Sequence, residues 1–323
     1  MELLKAVSLR KYFEVRKVFA SGRGMLKAVD GVDFSIAGDS VLALVGESGC
    51  GKTTVGRLVL RLLEPTSGAV LFKGQNIFAL SRSETKTFRK AVQIIFQDPF
   101  ASLNPRRTVY DTISEPLIIH NLVPRPKIKD SVVEIIGQVG LGPETLTRYP
   151  HEFSGGQRQR ICIARALAVS PEVIVADEPL SALDVSIQAQ IINLLIELKR
   201  KTKISFLFIS HDLRVVRYFS DEVCVMYLGK IVEQAKTEGL FAKPFHPYSE
   251  VLLASAPRIR PEGAGRSGRA PLKGEVPSPI HIPPGCPFHP RCPKRFEPCD
   301  RIVPELKESG GRLVSCHLWN PYE

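Results

Sequence analysis

The chain has 323 residues, enough for one large core and a smaller attachment, and its 44% hydrophobic and 24% charged residues are the balance of a globular protein rather than a disordered or fibrous one. Lys and Arg number 44 against 33 Asp and Glu, a formal net charge of +11, but they are scattered and lack the interleaved aromatics of a single-strand nucleic-acid groove. No stretch reaches the roughly 18 apolar residues of a membrane-spanning helix, and residues 1–15 lack the apolar core of a secretory signal, so the expected compartment is the reducing cytosol and the seven cysteines are not expected to form disulfides.

In chain order, residues 1–40 and 68–75 read as short antiparallel strands. The apolar strand Val41–Val45 runs into Gly46-Glu47-Ser48-Gly49-Cys50-Gly51-Lys52-Thr53, which fits G-x-x-x-x-G-K-[ST] between a strand and a helix over 53–63. Glycines at 46, 49 and 51 let backbone N–H groups turn toward phosphate oxygens, and the helix N-terminus, where Thr54 also sits, points at them. Lys52 adds a point charge, and the Thr53 hydroxyl suits Mg²⁺. Cys50 reads as a small loop residue. From Gln97 to Pro171 the pattern is helical without clear strands. Within it, Ser154-Gly155-Gly156-Gln157 opens a helix through Ile161, Ala164, Leu167 and Ala168, which places a hydroxyl and backbone N–H groups at a positive helix end: a second anion half-site.

The apolar strand Val173–Ala176 ends in Asp177-Glu178, where Asp177 is placed to hold Mg²⁺ through water and Glu178 to orient or deprotonate an attacking water. A helix over 187–199 and a strand Ile204–Ile209 precede His211. The alternation of apolar strands and helices specifies an α/β fold with a parallel sheet. Composition changes near Phe245: 14 of the 25 prolines lie between Phe245 and Glu323, and 261–269 reads as a Gly/Arg-rich linker. In this segment Cys286, Cys292, Cys299 and Cys316 are spaced by five, six and sixteen residues, without an obvious hydrophobic core around them. That spacing departs from the close pairs of structural zinc sites, and an iron–sulfur cluster, zinc and free thiols all stay open. Cys162 and Cys224 lie in apolar patterns and read as core thiols.

With these motifs in this order the chain resembles the ATP-binding cassette (ABC) ATPases over nearly its whole length. The resemblance implies a P-loop (RecA-like) ATPase core in residues 1–244, with an antiparallel β subdomain and a helical subdomain at about 98–170, followed by a small extension at 245–323. It implies catalytic roles for Lys52, Gln97, Glu178 and His211, with Gln97 reaching Mg²⁺ and water and His211 holding the γ-phosphate. Tyr12 would stack on adenine. Ser154–Gln157 would complete the ATP site of an opposite subunit, and Ser181-Ala182-Leu183-Asp184 would cross the dimer interface.

Further segments narrow the resemblance: QDPFASLNPRRTV at 97–109, RYPHEFSGGQRQR at 148–160, HPYSEVLLASAPR at 246–258 and KGEVPSPIHIPPGCPFHPRCP from Lys273. These look like the ATPases of oligopeptide and dipeptide importers, most similar to the second of their two paired subunits, although nickel and other small-solute importers share much of the pattern. The partners implied are a second ATPase subunit, two membrane permeases and an extracytoplasmic solute-binding protein, at the cytoplasmic face of the inner membrane and without nucleic acid. In that family the four cysteines are associated with a [4Fe-4S] cluster, with zinc as the alternative here; Arg291, Lys294, Arg295 and Arg301 would offset its thiolate charge. The rival reading is a soluble ABC ATPase acting on nucleic acid or ribosomes, which the basic charge favours and the single set of nucleotide motifs disfavours.

Overall fold

The structure is a computed structural model that describes residues 2–16, 23–255, 275 and 277–320. The strands are β1 (Glu2–Arg16), β2 (Arg23–Ala37), β3 (Val41–Val45), β4 (Ser67–Phe72), β5 (Gln75–Asn76), β6 (Val92–Ile95), β7 (Val173–Asp177), β8 (Ser205–Ile209), β9 (Glu222–Tyr227), β10 (Lys230–Lys236), β11 (Lys307–Ser309) and β12 (Arg312–Val314). The helices are α1 (Lys52–Val59), α2 (Arg82–Ala91), α3 (Pro99–Ser102), α4 (Val109–Ile119), α5 (Ile128–Gln138), α6 (Gly155–Leu167), α7 (Val185–Thr202), α8 (Leu213–Phe219), α9 (Thr237–Ala242) and α10 (Pro247–Ser255). Among the described residues no helix is long and apolar enough to cross a membrane. The linker at 261–269 lies outside the described residues.

The chain divides into two compact units. One holds residues 72–209 with the short flanks 1–3 and 36–41. Its strands β6, β7 and β8 pair in parallel, with Val92 opposite Val173 and Asp177 opposite Ile209. β7 and β8 are buried along their whole length, as the near-continuous apolar runs of parallel strands require. Helices α3 to α6 fill the interval between β6 and β7, where the sequence reads as helical. α6 starts where it does because Ser154 and Gln157 form a capping box: the Gln157 N–H donates to Ser154 Oγ at 3.3 Å, and the Ser154 N–H donates to Gln157 Oε1 at 3.1 Å.

The second unit holds residues 4–35, 42–71 and 210–323. β3 runs parallel to β9, β9 is antiparallel to β10, β12 pairs with β10 through Glu233 opposite Val314, and β11 pairs with β12. β2, β1 and β4 lie side by side in that order in a separate sheet. Here the strands differ from the short ones expected: β1 and β2 have 15 residues each. The inward positions Leu4 and Ala6 are followed by Leu9 rather than Ser8, and Ser8 has φ +45°. One extra residue is thus taken up locally, as in a β-bulge, and the period-two pattern breaks although the strand continues. The helix α1 is shorter than the 53–63 expected, since Arg61 turns left-handed at φ +53° just beyond it.

The C-terminal segment does have a core. Phe288 is buried and packs edge-on to Tyr227 at 5.3 Å, with Tyr248 at 5.4 Å and His246 at 5.8 Å between ring centres. Phe245 and Trp319 stack at 3.9 Å, and the Trp319 indole N–H donates to the Phe245 carbonyl at 2.7 Å. The fully buried Glu233 carboxylate accepts the Phe245 and His246 N–H groups, each at 2.9 Å, and pairs with Arg312 at 3.2 Å. A few aromatic rings separated in sequence carry this packing, which is why composition alone hides it.

Candidate functional site

The expected site residues fall into two sets, one in each unit. In the second unit, β3 ends at Val45 and the chain turns through Gly46 to Gly51 into α1. Gly46 has φ +152°, and a Cβ there would lie 2.2 Å from the Met226 carbonyl; Gly51 has φ +109°, and its Cβ would lie 2.1 Å from the Ala28 carbonyl. Both positions therefore require glycine. Gly49, at φ +80°, has nothing within 4 Å of a built Cβ and faces open space.

Lys52 is 4% exposed, and its ammonium donates to the carbonyls of Gly46 at 2.8 Å and Glu47 at 3.0 Å, so the loop closes around its own cation. α1 begins without a side-chain cap. Its first N–H groups and Lys52 form the positive end that anionic ligands seek, with Thr53 and Thr54 in the first turn and Ser48 exposed beside them. Cys50 is buried, which pushes its thiol pKa up, as suits an inert loop residue. His211 lies exposed, two residues beyond β8, and the neighbouring Ser210 N–H donates to the Leu44 carbonyl at 3.3 Å. Tyr12 is half-buried on β1, donates its hydroxyl to Asp30, and carries Lys27 over its ring at 5.6 Å. Burial first, then Asp30, raises the Tyr12 pKa to about 12.

In the first unit, Asp177 closes β7 and is buried. Glu178 follows in the left-handed region at φ +47°, a strained backbone for a residue with a side chain, held by its N–H to the Ile209 carbonyl at 2.9 Å and by Ser181 on its own carbonyl. Its carboxylate accepts the Gln97 amide at 3.1 Å, so these two expected residues, 81 positions apart, meet. Ser154 is exposed at the start of α6, but its hydroxyl and the Gln157 side chain serve the capping box, and Gly156 packs too closely on Ile187 to admit a Cβ, which would lie 2.5 Å away. Ser181–Asp184 is an outer loop, pinned by the Gln188 amide to the carbonyls of Leu180 at 3.0 Å and Leu183 at 3.1 Å. A Cβ on Gly155 would meet Leu183 at 3.4 Å, so the two loop segments adjoin.

Residues 29–181 match the family described as ABC transporter. The chain is 51% identical over 321 residues to the oligopeptide transport ATP-binding protein AppF of Bacillus subtilis, covering 98% of each chain. It is 46% identical over 314 residues to the dipeptide transport ATP-binding protein DppF of Escherichia coli, covering 97% of this chain and 93% of that one. The chain belongs to the ABC transporter ATP-binding proteins. Its fold is the ABC ATPase fold: it matches the cassette MJ0796, solved as a dimer in a post-hydrolysis state with ADP and Pi, at TM-score 0.64 and 25% identity, covering 72% of this chain and 98% of that one. It also matches cbiO1 from Clostridium perfringens at TM-score 0.64 and 28% identity, covering 75% and 91%. This ABC ATPase hydrolyses ATP as a transporter subunit, and residues 232–299 match a second family, the oligopeptide/dipeptide transporter C-terminal region.

None of the seven cysteines of the ABC ATPase is in a disulfide. Cys286, Cys292, Cys299 and Cys316 line one small pocket with His246, Phe288, His289, Lys294 and His317. Burial foremost, with neighbouring thiols adding, pushes Cys286 to about 12 and Cys316 to about 11, and burial raises Cys292. Among the described residues, however, no group of three or more His, Cys, Asp or Glu side chains is arranged to hold a metal ion. The expected offsetting cations are mostly engaged elsewhere: Arg291 with Glu47, Lys294 with Glu250 and Arg301 with Glu297. Lys294, although paired with Glu250, also lines the pocket and favours the thiolate of Cys292 there. Arg291 and Tyr248, which grip the loop between β3 and α1, carry no sequence signal of that contact, because 244 and 201 residues separate them from Glu47.

Proposed function

We propose that the ABC ATPase powers uptake of di- and oligopeptides through partner permeases at the cytoplasmic face of the membrane, with an extracytoplasmic solute-binding protein and a second, different ATPase subunit. The observation that carries this reading is the match of residues 232–299 to the oligopeptide/dipeptide transporter C-terminal region, on a chain whose close relatives bear peptide-transport names. In this reading residues 1–244 form the nucleotide-binding domain, with its helical subdomain at about 98–170, and 245–323 the transporter-specific extension.

Gly46–Thr54 receives the phosphates of ATP, with Lys52 offering its charge and Tyr12 its ring to adenine. Thr53, Gln97 and Asp177 supply the hard oxygen donors that suit Mg²⁺, which when bound neutralises phosphate charge. Glu178 orients water, aided by the Gln97 amide on its carboxylate, and His211 holds the γ-phosphate. Ser154–Gln157 and Ser181–Asp184 face the second subunit. The four pocket cysteines are the proposed ligands of a [4Fe-4S] cluster. The support is the donor set, four soft thiols on one small pocket, although their side chains are not disposed around an ion in this structure.

Two measurements test the reading. ATP hydrolysis by the chain reconstituted with its permeases should rise several-fold with peptide-loaded binding protein; stimulation by nickel or another small solute alone, or co-sedimentation with ribosomes instead of membranes, would overturn it. Anaerobically purified protein should contain near four irons and four sulfides per chain; stoichiometric zinc or metal-free protein would remove the cluster and leave the ATPase.

A further inference from the structure

Glu47 is gripped at three points. Its N–H donates to the Tyr248 hydroxyl at 2.8 Å, its carbonyl accepts the Lys52 ammonium at 3.0 Å, and its carboxylate receives both terminal nitrogens of Arg291 at 2.8 and 3.0 Å. Two of the three grips come from the C-terminal segment. The Arg291 side chain is 6% exposed and that of Glu47 25%, so this is a largely desolvated two-pronged ion pair, the strong kind rather than a surface contact. The pair and the Tyr227 hydroxyl both hold the Arg291 guanidinium in its charged form.

The platform under Arg291 is fixed. It ends a single helical turn, His289–Arg291, whose N–H groups of His289, Arg291 and Cys292 donate to Cys286, Phe288 and His289 at 2.9, 3.0 and 3.3 Å, and Phe288 anchors that turn in the aromatic cluster with Tyr227 and Tyr248. The same Tyr248 that packs there supplies the hydroxyl to the Glu47 N–H, at 4.7 Å from the Tyr227 ring. A carboxylate in a loop that must admit a triphosphate is an electrostatic liability, because two like charges a few ångströms apart in a low-dielectric site repel strongly. Arg291 removes that liability by neutralising the carboxylate and drawing it toward the extension, while the Glu47 carbonyl stays on Lys52.

We propose that Arg291 is a positioning residue of the ATP site, acting through Glu47 to set the charge and shape of the phosphate loop, so that the C-terminal extension tunes nucleotide affinity. The inference rests on the reading above that Gly46–Thr54 receives the phosphates. It differs from a merely structural role in one respect: the harm done by losing Arg291 is harm done by the stranded Glu47 charge, and removing that charge should undo it.

The test is titration of the full-length chain with a fluorescent ATP analogue and Mg²⁺, beside thermal melting. Arg291→Ala should weaken binding about tenfold, Arg291→Lys about threefold, and Glu47→Gln alone by no more than about threefold, while Arg291→Ala with Glu47→Gln should return to within about threefold of the parent. In ATP turnover the loss should fall on KM, with kcat at saturation within about twofold of the parent. If Arg291→Ala does not fold, the Arg291→Lys variant with and without Glu47→Gln carries the same comparison. Unchanged affinity in the Arg291 variants, or a double variant weaker than Arg291→Ala by the factor Glu47→Gln costs alone, overturns the inference. Lys52→Ala separates the two claims: if it loses binding while Glu47→Gln fails to rescue Arg291→Ala, only the role of Arg291 is sunk, whereas retained binding in Lys52→Ala sinks the loop reading and this inference together.

Discussion

At the residue scale, Glu178 combines three properties seldom found in one carboxylate: it follows a buried strand, its backbone is left-handed, and its side chain takes a hydrogen bond from Gln97. Strain of this kind costs on the order of 1–3 kcal/mol and persists where the surroundings over-determine it, here through Ile209 and Ser181. Glu178→Gln keeps size and hydrogen bonding but loses the charge that its proposed role requires. It should retain ATP binding and accumulate an ATP-bound dimer, with hydrolysis reduced about 10²–10⁴-fold; appreciable residual turnover in a single-turnover assay would take Glu178 out of that role. Gly51→Ala should abolish ATP binding and lower the melting temperature, since its Cβ would press on the Ala28 carbonyl at φ +109°. At this scale the sequence is informative: the spacing of glycines, Lys52 and Thr53 states a phosphate loop because each residue type answers a local requirement of backbone and charge. The meeting of Gln97 with Glu178 was foreseeable only from the family resemblance, and the grip of Arg291 on Glu47 not at all, because side-chain pairing across 244 residues leaves no local periodic trace.

Elements are unevenly legible in the sequence, for physical reasons. The strands β3, β7 and β8 are buried on both faces and announce themselves as apolar runs. β1 reads as short because the bulge at Ser8 breaks its alternation, and the hydrophobic packing of the extension leaves no pattern because it is built from a few aromatics separated by prolines. Phe288 is the centre of that packing, and Phe288→Ala should cost about 3–5 kcal/mol of stability, measurable as a lower urea midpoint. His246 gives the same element a pH signature. Burial lowers its pKa from the ordinary 6.5 to about 3, so the folded chain keeps it neutral while the unfolded chain protonates it. The unfolded state therefore binds the extra proton as pH falls below about 6.5, and the stability that His246 contributes at neutral pH is lost progressively from there toward pH 3, at up to about 1.4 kcal/mol per pH unit. Melting temperatures from pH 7.5 to 5 should fall, and His246→Asn, which keeps an acceptor for the Tyr248 N–H, should fall less steeply.

For the whole molecule, composition marks a globular chain and the alternation of apolar strands with helices marks it as α/β, while the +11 charge names no partner, since Lys and Arg are engaged in dispersed pairs such as Lys73 with Glu172 and Lys199 with Asp39. What no composition shift could disclose is that the Pro-rich tail returns to the sheet of β3, β9 and β10, with β12 laid along β10. Ending the chain at residue 244 would therefore do more than delete an appendage. It would strip β10 of β12, leaving a row of open N–H and C=O groups on an edge strand, and would leave the Glu233 carboxylate without Arg312 or the His246 and Phe245 N–H groups. Such a bare edge is a template for β-pairing between copies. The truncated protein should thus lose solubility by self-association, seen as concentration-dependent light scattering, and a further Glu233→Gln change should moderate its instability without removing the association.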